Sequence, residues 1–166
     1  MVLGEKIVKF SAFFALFMGV INAEQVQVTA DNFFADENKQ ISTLNGNVMI
    51  KKGAYDTLNS DKVDIFFDAN RQPIKYVATG NARFRAMMKD SKYSGKGALL
   101  TYEPANETYT LSGGAYLHDE TNKREVFGEK IIVNQLNSTY EVKSANSKNA
   151  PAKLIFEVEE KNNGKK

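Results

Sequence analysis

The side chains that most often carry catalysis are scarce in this sequence. It has one histidine, His118, and no cysteine, so thiolate chemistry is excluded and a serine–histidine–aspartate triad would depend on His118 alone. Asp119 and Glu120 follow His118, but adjacent residues of an extended chain point to opposite faces, which argues against a metal site there. The glycines recur inside alternating stretches and form no phosphate-binding loop. We therefore expect no enzyme, no metal site and no cofactor.

The charge balance gives little reason to expect a nucleic-acid partner. The formal net charge is +2, and removing residues 1–23, with Glu5, Lys6 and Lys9, leaves 20 basic and 19 acidic residues. No basic stripe interleaved with aromatic residues is visible, so we expect no nucleic-acid binding. The terminal "KNNGKK", residues 161–166, is predicted to be a disordered basic tail.

The first residues have the pattern of an export signal. Lys6 and Lys9 precede an apolar run from Phe10 to Val20, and Ala23 follows it. A basic start, a short apolar run and a small residue are typical of a signal peptide, here residues 1–23, with cleavage after Ala23. The run is short for a bilayer span, which needs about 20 residues, although an uncleaved membrane anchor is the alternative.

After residue 24 the sequence alternates in the manner of strands. The stretches "LNGNVMIKK", "ATGNARFRA" and "LSGGAYLHD" begin at Leu44, Ala78 and Leu111. Apolar and small residues occupy every second position in each, which is typical of a half-buried strand. The three stretches share a glycine, at Gly46, Gly80 and Gly113, with steps of 34 and 33 residues.

These regularly spaced glycines have two possible meanings. On the inward face, together with Ala82 and Ala115, they would leave room for a groove in place of a solid core. Alternatively, they mark β-bulges or sharp bends of the strands, where glycine is common. Period-two alternation alone leaves both interpretations open.

A second element recurs between the glycine strands. It is "SDKVDIFFD" at Ser60–Asp68, "GKGALLTYE" at Gly95–Glu103 and "GEKIIVNQL" at Gly128–Leu136. Polar turns such as "DANRQP" connect the strands. About three and a half copies of this unit fill residues 24–160, and so many short, evenly spaced strands predict an all-β sandwich or jelly roll.

These elements resemble a known family. The segment "LSGGAYLHDETNKREVFGEKIIVNQLNSTYEVKS", Leu111–Ser144, together with "NGNVMI" and "SDKVDI", is similar to the LptA (OstA-like) family of lipopolysaccharide-transport bridge proteins. The resemblance extends from Val26 to Glu160. It implies an OstA-like β-jelly roll, a V-shaped antiparallel trough that holds the acyl chains of lipopolysaccharide.

The resemblance also implies a place and partners. Such proteins form a periplasmic bridge between the inner and outer membranes by head-to-tail edge-strand pairing with themselves. The implied partners at the two ends are an LptC-like inner-membrane jelly-roll protein and the N-terminal domain of an LptD-like outer-membrane protein. We thus expect a periplasmic protein that carries lipopolysaccharide towards the outer membrane.

The residues of inward parity would line the trough, because an acyl chain needs a continuous apolar surface. The predicted lining residues are Val48, Ile50, Val63, Ile65, Tyr76, Phe84, Leu100, Leu111, Leu117, Ile131 and Val133. Each of them could equally be an ordinary core residue. Lys51, Lys52, Arg83 and Arg85, assigned to the outward parity, are possible contacts for the phosphorylated head group, or else solvated surface charges.

The terminal strands are candidates for pairing with a partner. They lie around Val26–Ala35 and Lys153–Glu160, and the second has no internal proline. An edge strand offers backbone hydrogen bonds to a further strand. Two alternatives to the bridge protein are a membrane-anchored LptC-like relative of the same fold and a structural filament that stacks by its edges without lipid cargo.

Overall fold

The described part of the chain forms a single sheet of ten strands. The structure, a computed structural model, describes residues 25–145 and 150–158; the predicted signal peptide and basic tail lie outside them. Among these residues the only helical element is a short 3₁₀ turn, and no helix has the length and apolarity to cross a bilayer. The strands are β1 Val26–Thr29, β2 Asn32–Asp36, β3 Ile41–Lys52, β4 Asp56–Phe67, β5 Pro73–Met88, β6 Ser91–Glu103, β7 Thr108–Asp119, β8 Arg124–Asn134, β9 Thr139–Lys143 and β10 Lys153–Phe156, with the 3₁₀ turn at Pro104–Asn106.

The sheet is antiparallel throughout and open at both edges. The six long strands β3 to β8 pair in chain order. Two short strands, β1 and β2, lie in line along the free side of β3, while β10 and β9 lie in line along the free side of β8. Each edge of the sheet is therefore made of two short strands, and the all-β fold predicted from the sequence is confirmed.

The polar segments between the strands form tight turns, as their composition predicts. In "DANRQP" the Asp68 carboxylate accepts hydrogen bonds from the backbone N–H groups of Asn70 and Gln72, at 2.8 Å each. Arg71 between them adopts a left-handed conformation with φ of 63°. Side-chain acceptors of this kind satisfy turn donors that the ladders leave unpaired.

A line of bulges crosses the whole sheet and divides it into two arms. The register shifts fall between Asn45 and Val48 in β3, between Thr79 and Ala82 in β5, and between Ser112 and Ala115 in β7. Bulges bend a strand and increase its twist, so their alignment makes a crease, and each arm is a row of hairpins. The first arm contains the hairpins 48–60, 82–97 and 115–128, and the second arm contains 32–45, 62–79, 99–112 and 130–143.

The regularly spaced glycines form this crease, which supports the bulge interpretation. Gly46 and Gly80 both have φ of +82°, and Gly113 has φ of +77°, a region that side chains other than glycine rarely adopt. The repeat of 33 to 34 residues in the sequence thus corresponds to one hairpin on each arm.

Each bulge also changes which residues of the opposing strand face inward. Gly46 and Asn47 of β3 together oppose the single residue Asp61 of β4. As a result, Val63 and Ile65 face inward on one side of Asp61, and Leu58 and Ser60 do so on the other. Strict alternation is broken in β4 at this point, as it is in β6 and β8.

The core lies on the inward face of both arms. Its buried apolar residues are Leu44, Val48, Val63, Ile65, Ala78, Ala82, Phe84, Met88, Leu100, Leu111, Ala115, Leu117, Val126 and Ile131. These residues come from strands of both arms and form one contiguous cluster. The two arms therefore enclose a common apolar interior.

Candidate functional site

The deepest part of the interior is an aliphatic row beside the crease. Its residues are direct cross-strand partners through the second arm: Leu44, Val63, Ala78, Leu100, Leu111 and Ile131. All are buried, and Val63, Ala78 and Ile131 are 0% exposed. This aliphatic row offers only hydrocarbon to the interior.

The next inward row of the second arm is aromatic. Tyr76, Tyr102 and Tyr109 are direct cross-strand partners on β5, β6 and β7, and we call them the tyrosine ladder. The ring centroids of Tyr76 and Tyr102 lie 5.9 Å apart, and those of Tyr102 and Tyr109 lie 4.3 Å apart, in stacked arrangements. The ladder is half-buried, so its rings pack on the core while part of their surface is accessible.

Phe84 joins the two arms across the interior. It belongs to the first arm, yet its ring stacks on Tyr109 of the second arm at a centroid distance of 6.5 Å. Gly95, its cross-strand partner, makes room for this ring, because a Cβ on Gly95 would lie 2.5 Å from Phe84 Cε1. The inward faces of the two arms therefore meet at this phenylalanine.

The first arm ends in polar residues at the open side of the interior, which we call the mouth. This inward row includes Lys52, Asp56, Tyr93, Asp119 and Arg124. Asp119 is buried and accepts hydrogen bonds from the backbone N–H and the side-chain amide of Asn122. Away from the crease, the inward rows of the second arm change from aliphatic to aromatic, and those of the first arm end in charged residues.

Burial raises the pKa of each of the ladder tyrosines above the usual value of 10. Loss of solvent is the first cause in all three cases, because it disfavours the phenolate. In Tyr76 and Tyr109 the charge that would develop on Tyr102 adds to the shift. The hydroxyls thus stay neutral through the physiological range and remain able to donate hydrogen bonds.

All eleven residues predicted to line a trough lie in this interior. Eight of them are buried, while Ile50, Tyr76 and Val133 are partly buried against the others. The structure therefore brings the predicted set together on one face of the sheet. Contact of these residues with a lipid stays a prediction.

The four predicted head-group cations do not share a face. Lys51, Arg83 and Arg85 occupy the outward parity, as expected, and the Arg85 guanidinium lies 4.6 Å from the centroid of the Tyr55 ring. Assignment of Lys52 to the outward parity is wrong, because it pairs with Val26 and shares the inward side of β3 with Ile50. Only Lys52 of the four stands at the mouth.

Sequence reasoning missed several interior residues. Leu58 and Tyr93 pack against the core, and both lie beyond the bulges where the inward face of the strand changes. A glycine–asparagine or glycine–glycine pair on the neighbouring strand was the available signal for that change. Tyr102 stacks between Tyr76 and Tyr109. In the described part of the chain no cluster of three or more histidine, cysteine or acidic side chains could hold a metal ion.

The comparisons with known proteins agree with this geometry. The model of the family described as LptA/(LptD N-terminal domain) LPS transport protein matches residues 27–139. The chain belongs to this family. Its members are transport proteins, not enzymes.

A solved structure has the same fold. It is LptH from Pseudomonas aeruginosa, described as the LptA-homologous periplasmic component of the conserved lipopolysaccharide transport device. The TM-score is 0.68, with 16% identity over 81% of this chain and 96% of the other, so the likeness concerns the fold. No curated protein matches the chain. The fold of this chain is thus an open, creased trough of the jelly-roll type.

Proposed function

We propose that this protein is a periplasmic lipopolysaccharide-binding bridge component of the LptA type, which shields acyl chains inside its trough. One observation carries the proposal: an unbroken inward apolar row runs across the whole sheet, from the exposed Phe33 at one edge to the half-buried Val142 at the other. The row consists of Phe33, Leu44, Val63, Ala78, Leu100, Leu111, Ile131 and Val142. An apolar surface that continues to both edges suits a cargo passed from one molecule to the next.

The energetics favour enclosed transport. Burial of an acyl chain yields about 0.8 kcal/mol per methylene, or roughly 10 kcal/mol for a chain of a dozen carbons. A lipid with several such chains does not cross an aqueous space unshielded. The aliphatic row and the ladder supply the surface that replaces water.

The exposed edges favour a second copy of this chain as one partner. Exposed apolar side chains concentrate there, with Phe33 at 46% on one edge and Tyr140, Leu154 and Phe156 at 51%, 49% and 57% on the other. Monomeric proteins usually protect open edges of sheets. Here the edges combine free backbone groups with inward apolar side chains, a surface suited to strand addition.

Strand directions permit this stacking on both arms at once. β1 and β2 run antiparallel to β3, and β9 and β10 run antiparallel to β8. Since β3 and β8 themselves run in opposite directions, the strands at the two edges also run in opposite directions. Shifting one copy across the sheet, perpendicular to its strands, therefore sets β9 antiparallel to β2 of the next copy. The same translation sets β10 antiparallel to β1. The inward row of Leu154 then continues into Val28 of the next copy, and that of Val142 into Phe33.

The same edges would serve the heterologous partners. We propose an LptC-like jelly-roll protein at one end and the N-terminal domain of an LptD-like protein at the other, with lipopolysaccharide moving from the inner to the outer membrane. Export by the predicted signal peptide would place the chain in the periplasm. Mass spectrometry of the mature N-terminus tests this, since a chain that still begins at Met1 would indicate an anchored, LptC-like protein.

Photo-crosslinking tests the cargo. A photoreactive amino acid replaces Phe84 or Leu117, which face the interior, and His118 serves as the matched outward control because it neighbours Leu117. After incubation with purified lipopolysaccharide and irradiation, adducts are expected at the two inward positions and not at His118. Adducts only between protein molecules would instead indicate a filament without lipid cargo and would contradict the proposal.

A further inference from the structure

The crease opens into a depression on the outward face of the sheet, beside Gly113. Its volume is about 310 Å³, at the lower end of the range of small-molecule sites, about 300–1,000 Å³. Small residues such as Ala98 and Gly114 line it, together with the cations Arg83 and Lys96. The chain thus has a concave, positively charged surface on the side of the sheet opposite to the trough.

The crease beside Gly80 shows which group the depression lacks. There the Asp61 carboxylate covers the glycine and accepts a hydrogen bond from the side-chain amide of Asn81. At Gly113 the residue in the position of Asp61 is Ala98, which carries no carboxylate. The depression therefore lies where the crease has, at Gly80, a carboxylate supplied by the chain itself.

A pair of cations accompanies the missing carboxylate. Arg83 and Lys96 are direct cross-strand partners. The corresponding pair beside Gly80 is Met49 and Asn59, and both are uncharged. In the described part of the chain neither cation forms an ion pair with an acidic side chain. Like charges directly opposite each other destabilise a strand pair, a conflict typical of functional sites, and a bound anion would relieve it.

An aromatic surface continues from the cations on the same face. Tyr116 is the cross-strand partner of Lys96, whose Nζ lies 5.8 Å from the centroid of the Tyr116 ring. Phe127 follows on β8, with its ring centroid 4.9 Å from that of Tyr116. The Tyr116 hydroxyl donates a hydrogen bond of 2.6 Å to Glu125, which holds the half-buried ring in place. A sugar ring has a face of C–H groups that packs against an aromatic face of this kind.

We propose that the depression binds an anionic sugar, a saccharide that carries a phosphate or a carboxylate. The anionic group lies between Arg83 and Lys96, where a guanidinium can donate two parallel hydrogen bonds to it, and the sugar ring packs on Tyr116. An acidic peptide would satisfy the cations but would leave the aromatic surface unused. Because the sheet separates the depression from the trough, the inference does not depend on the proposed function.

Nuclear magnetic resonance titrations test the site directly. Glucose 1-phosphate and glucuronate are the probes, and glucose, inorganic phosphate and triglutamate are the comparison ligands. The amide resonances of Gly97, Gly113 and Gly114 in the ¹⁵N-labelled protein report on binding, because these residues line the depression. Both anionic sugars are expected to shift the three resonances saturably, whereas glucose leaves them unchanged. Inorganic phosphate and triglutamate are expected to bind more weakly than glucose 1-phosphate, since neither has a ring to pack on Tyr116.

Substitutions assign the binding to the depression. Arg83→Gln and Lys96→Gln should each weaken glucose 1-phosphate binding about two- to fivefold, the range for an exposed charged pair. Arg85→Gln is the matched control, because it removes the same charge from the same face of β5 outside the depression, and it should leave the affinity unchanged. Tyr116→Leu should weaken binding of the sugar phosphate and not of inorganic phosphate. Ala98→Asp should abolish binding, because the chain then supplies its own carboxylate.

Three results would overturn the proposal. The three glycine resonances could stay in place with both anionic sugars, or Arg85→Gln could weaken binding as much as Arg83→Gln, which would indicate diffuse surface charge. Inorganic phosphate or triglutamate could bind as tightly as glucose 1-phosphate, and the sugar would then be the wrong ligand. The substituted cations are exposed, and the ¹H–¹⁵N spectrum of each variant verifies that it is folded.

Discussion

The crease is held differently at its second and third glycines. At the second, the Asp61 carboxylate accepts a hydrogen bond of 2.9 Å from the side-chain amide of Asn81 and covers Gly80. At the third, Gly113 is followed by Gly114, and the residue over Gly113 is Ala98. We call each place where the crease passes through a glycine strand a crossing, and number the crossings along the chain. At the first crossing, Asp31 covers Gly46 and accepts a hydrogen bond from Asn47, as Asp61 does with Gly80 and Asn81 at the second.

This difference separates what shapes the crease from what reinforces it. The backbone is nearly the same at both crossings, with φ of +82° at Gly80 and +77° at Gly113, and the residue that follows each is also left-handed. Asparagine tolerates that conformation better than most residues, and glycine tolerates it without cost. The glycine therefore shapes the bulge, and the aspartate–asparagine clamp adds a contact that the third crossing does without.

The missing clamp has a visible consequence on the outward face. A depression of about 310 Å³ lies at the third crossing, lined by Asn81, Ala82, Arg83, Lys96, Gly97, Ala98, Gly113 and Gly114. Arg83 and Lys96, cross-strand partners on β5 and β6, border this depression, and like charges directly opposite each other destabilise a strand pair. The third crossing therefore lacks a side-chain contact that the first two crossings have.

The largest expected effect comes from Gly80→Ala. A Cβ there would lie 2.4 Å from Asp61 Oδ2, so the substitution both strains a left-handed residue and displaces the clamp. We expect a loss of about 2–3 kcal/mol in the free energy of unfolding, the sum of the conformational cost and a lost hydrogen bond. Urea denaturation followed by circular dichroism measures it.

Gly114→Ala is the matched control for that substitution. Gly114 is also left-handed, with φ of +63°, but nothing lies within 4 Å of a Cβ built on it. Only the conformational cost of about 1 kcal/mol then applies. Equal losses at both positions would show that the clamp contributes nothing and that backbone strain alone distinguishes the glycines.

Much of this fold follows from the sequence because one face of each strand is buried. Period-two alternation fixes which residues of β3, β5 and β7 face inward, since their pattern continues through the crease at Val48, Ala82 and Ala115. Alternation does not predict the inward residues throughout β4 and β6, because one residue of these strands lies opposite two residues of the neighbouring strand. The inward face therefore changes at Asp61 in β4 and at Ala98 in β6. Leu58 and Tyr93 could not be placed by alternation for this reason.

The candidate site was predictable in its apolar part only. Residues such as Val63 and Ile131 are interior by alternation alone, whereas the cross-strand alignment of Tyr76, Tyr102 and Tyr109 depends on the register of three strands. The register of paired strands is set by turn lengths and bulges together, and neither can be predicted from amino-acid composition. The inward position of Lys52 follows from simple alternation with Ile50, so the sequence predicts it, and assigning adjacent Lys51 and Lys52 to the same face was wrong.

An intermediate effect is expected when the second crossing is converted to the third. The double substitution Asp61→Ala with Asn81→Gly removes the clamp while preserving the left-handed backbone. We expect a loss of about 1 kcal/mol in the free energy of unfolding, since one hydrogen bond to a carboxylate at an exposed site disappears. Both single variants complete a double-mutant cycle, and a coupling energy of zero would contradict the idea that the two side chains act as a unit.

The smallest effect, and the sharpest test of the comparison, is expected from the reverse change at the third crossing. Ala98→Asp with Gly114→Asn would install the clamp over Gly113, and the new carboxylate would lie in the depression that Arg83 and Lys96 line. The gain should be about 0.5 kcal/mol, because a hydrogen bond and relief of the like-charge pair exceed the cost of a left-handed asparagine by little. Ala98→Asp alone should show the electrostatic part, which falls as salt rises. A double variant no more stable than Ala98→Asp at high salt would mean that the clamp geometry cannot form beside Gly113, and that the two kinds of crossing differ in backbone as well as in side chains.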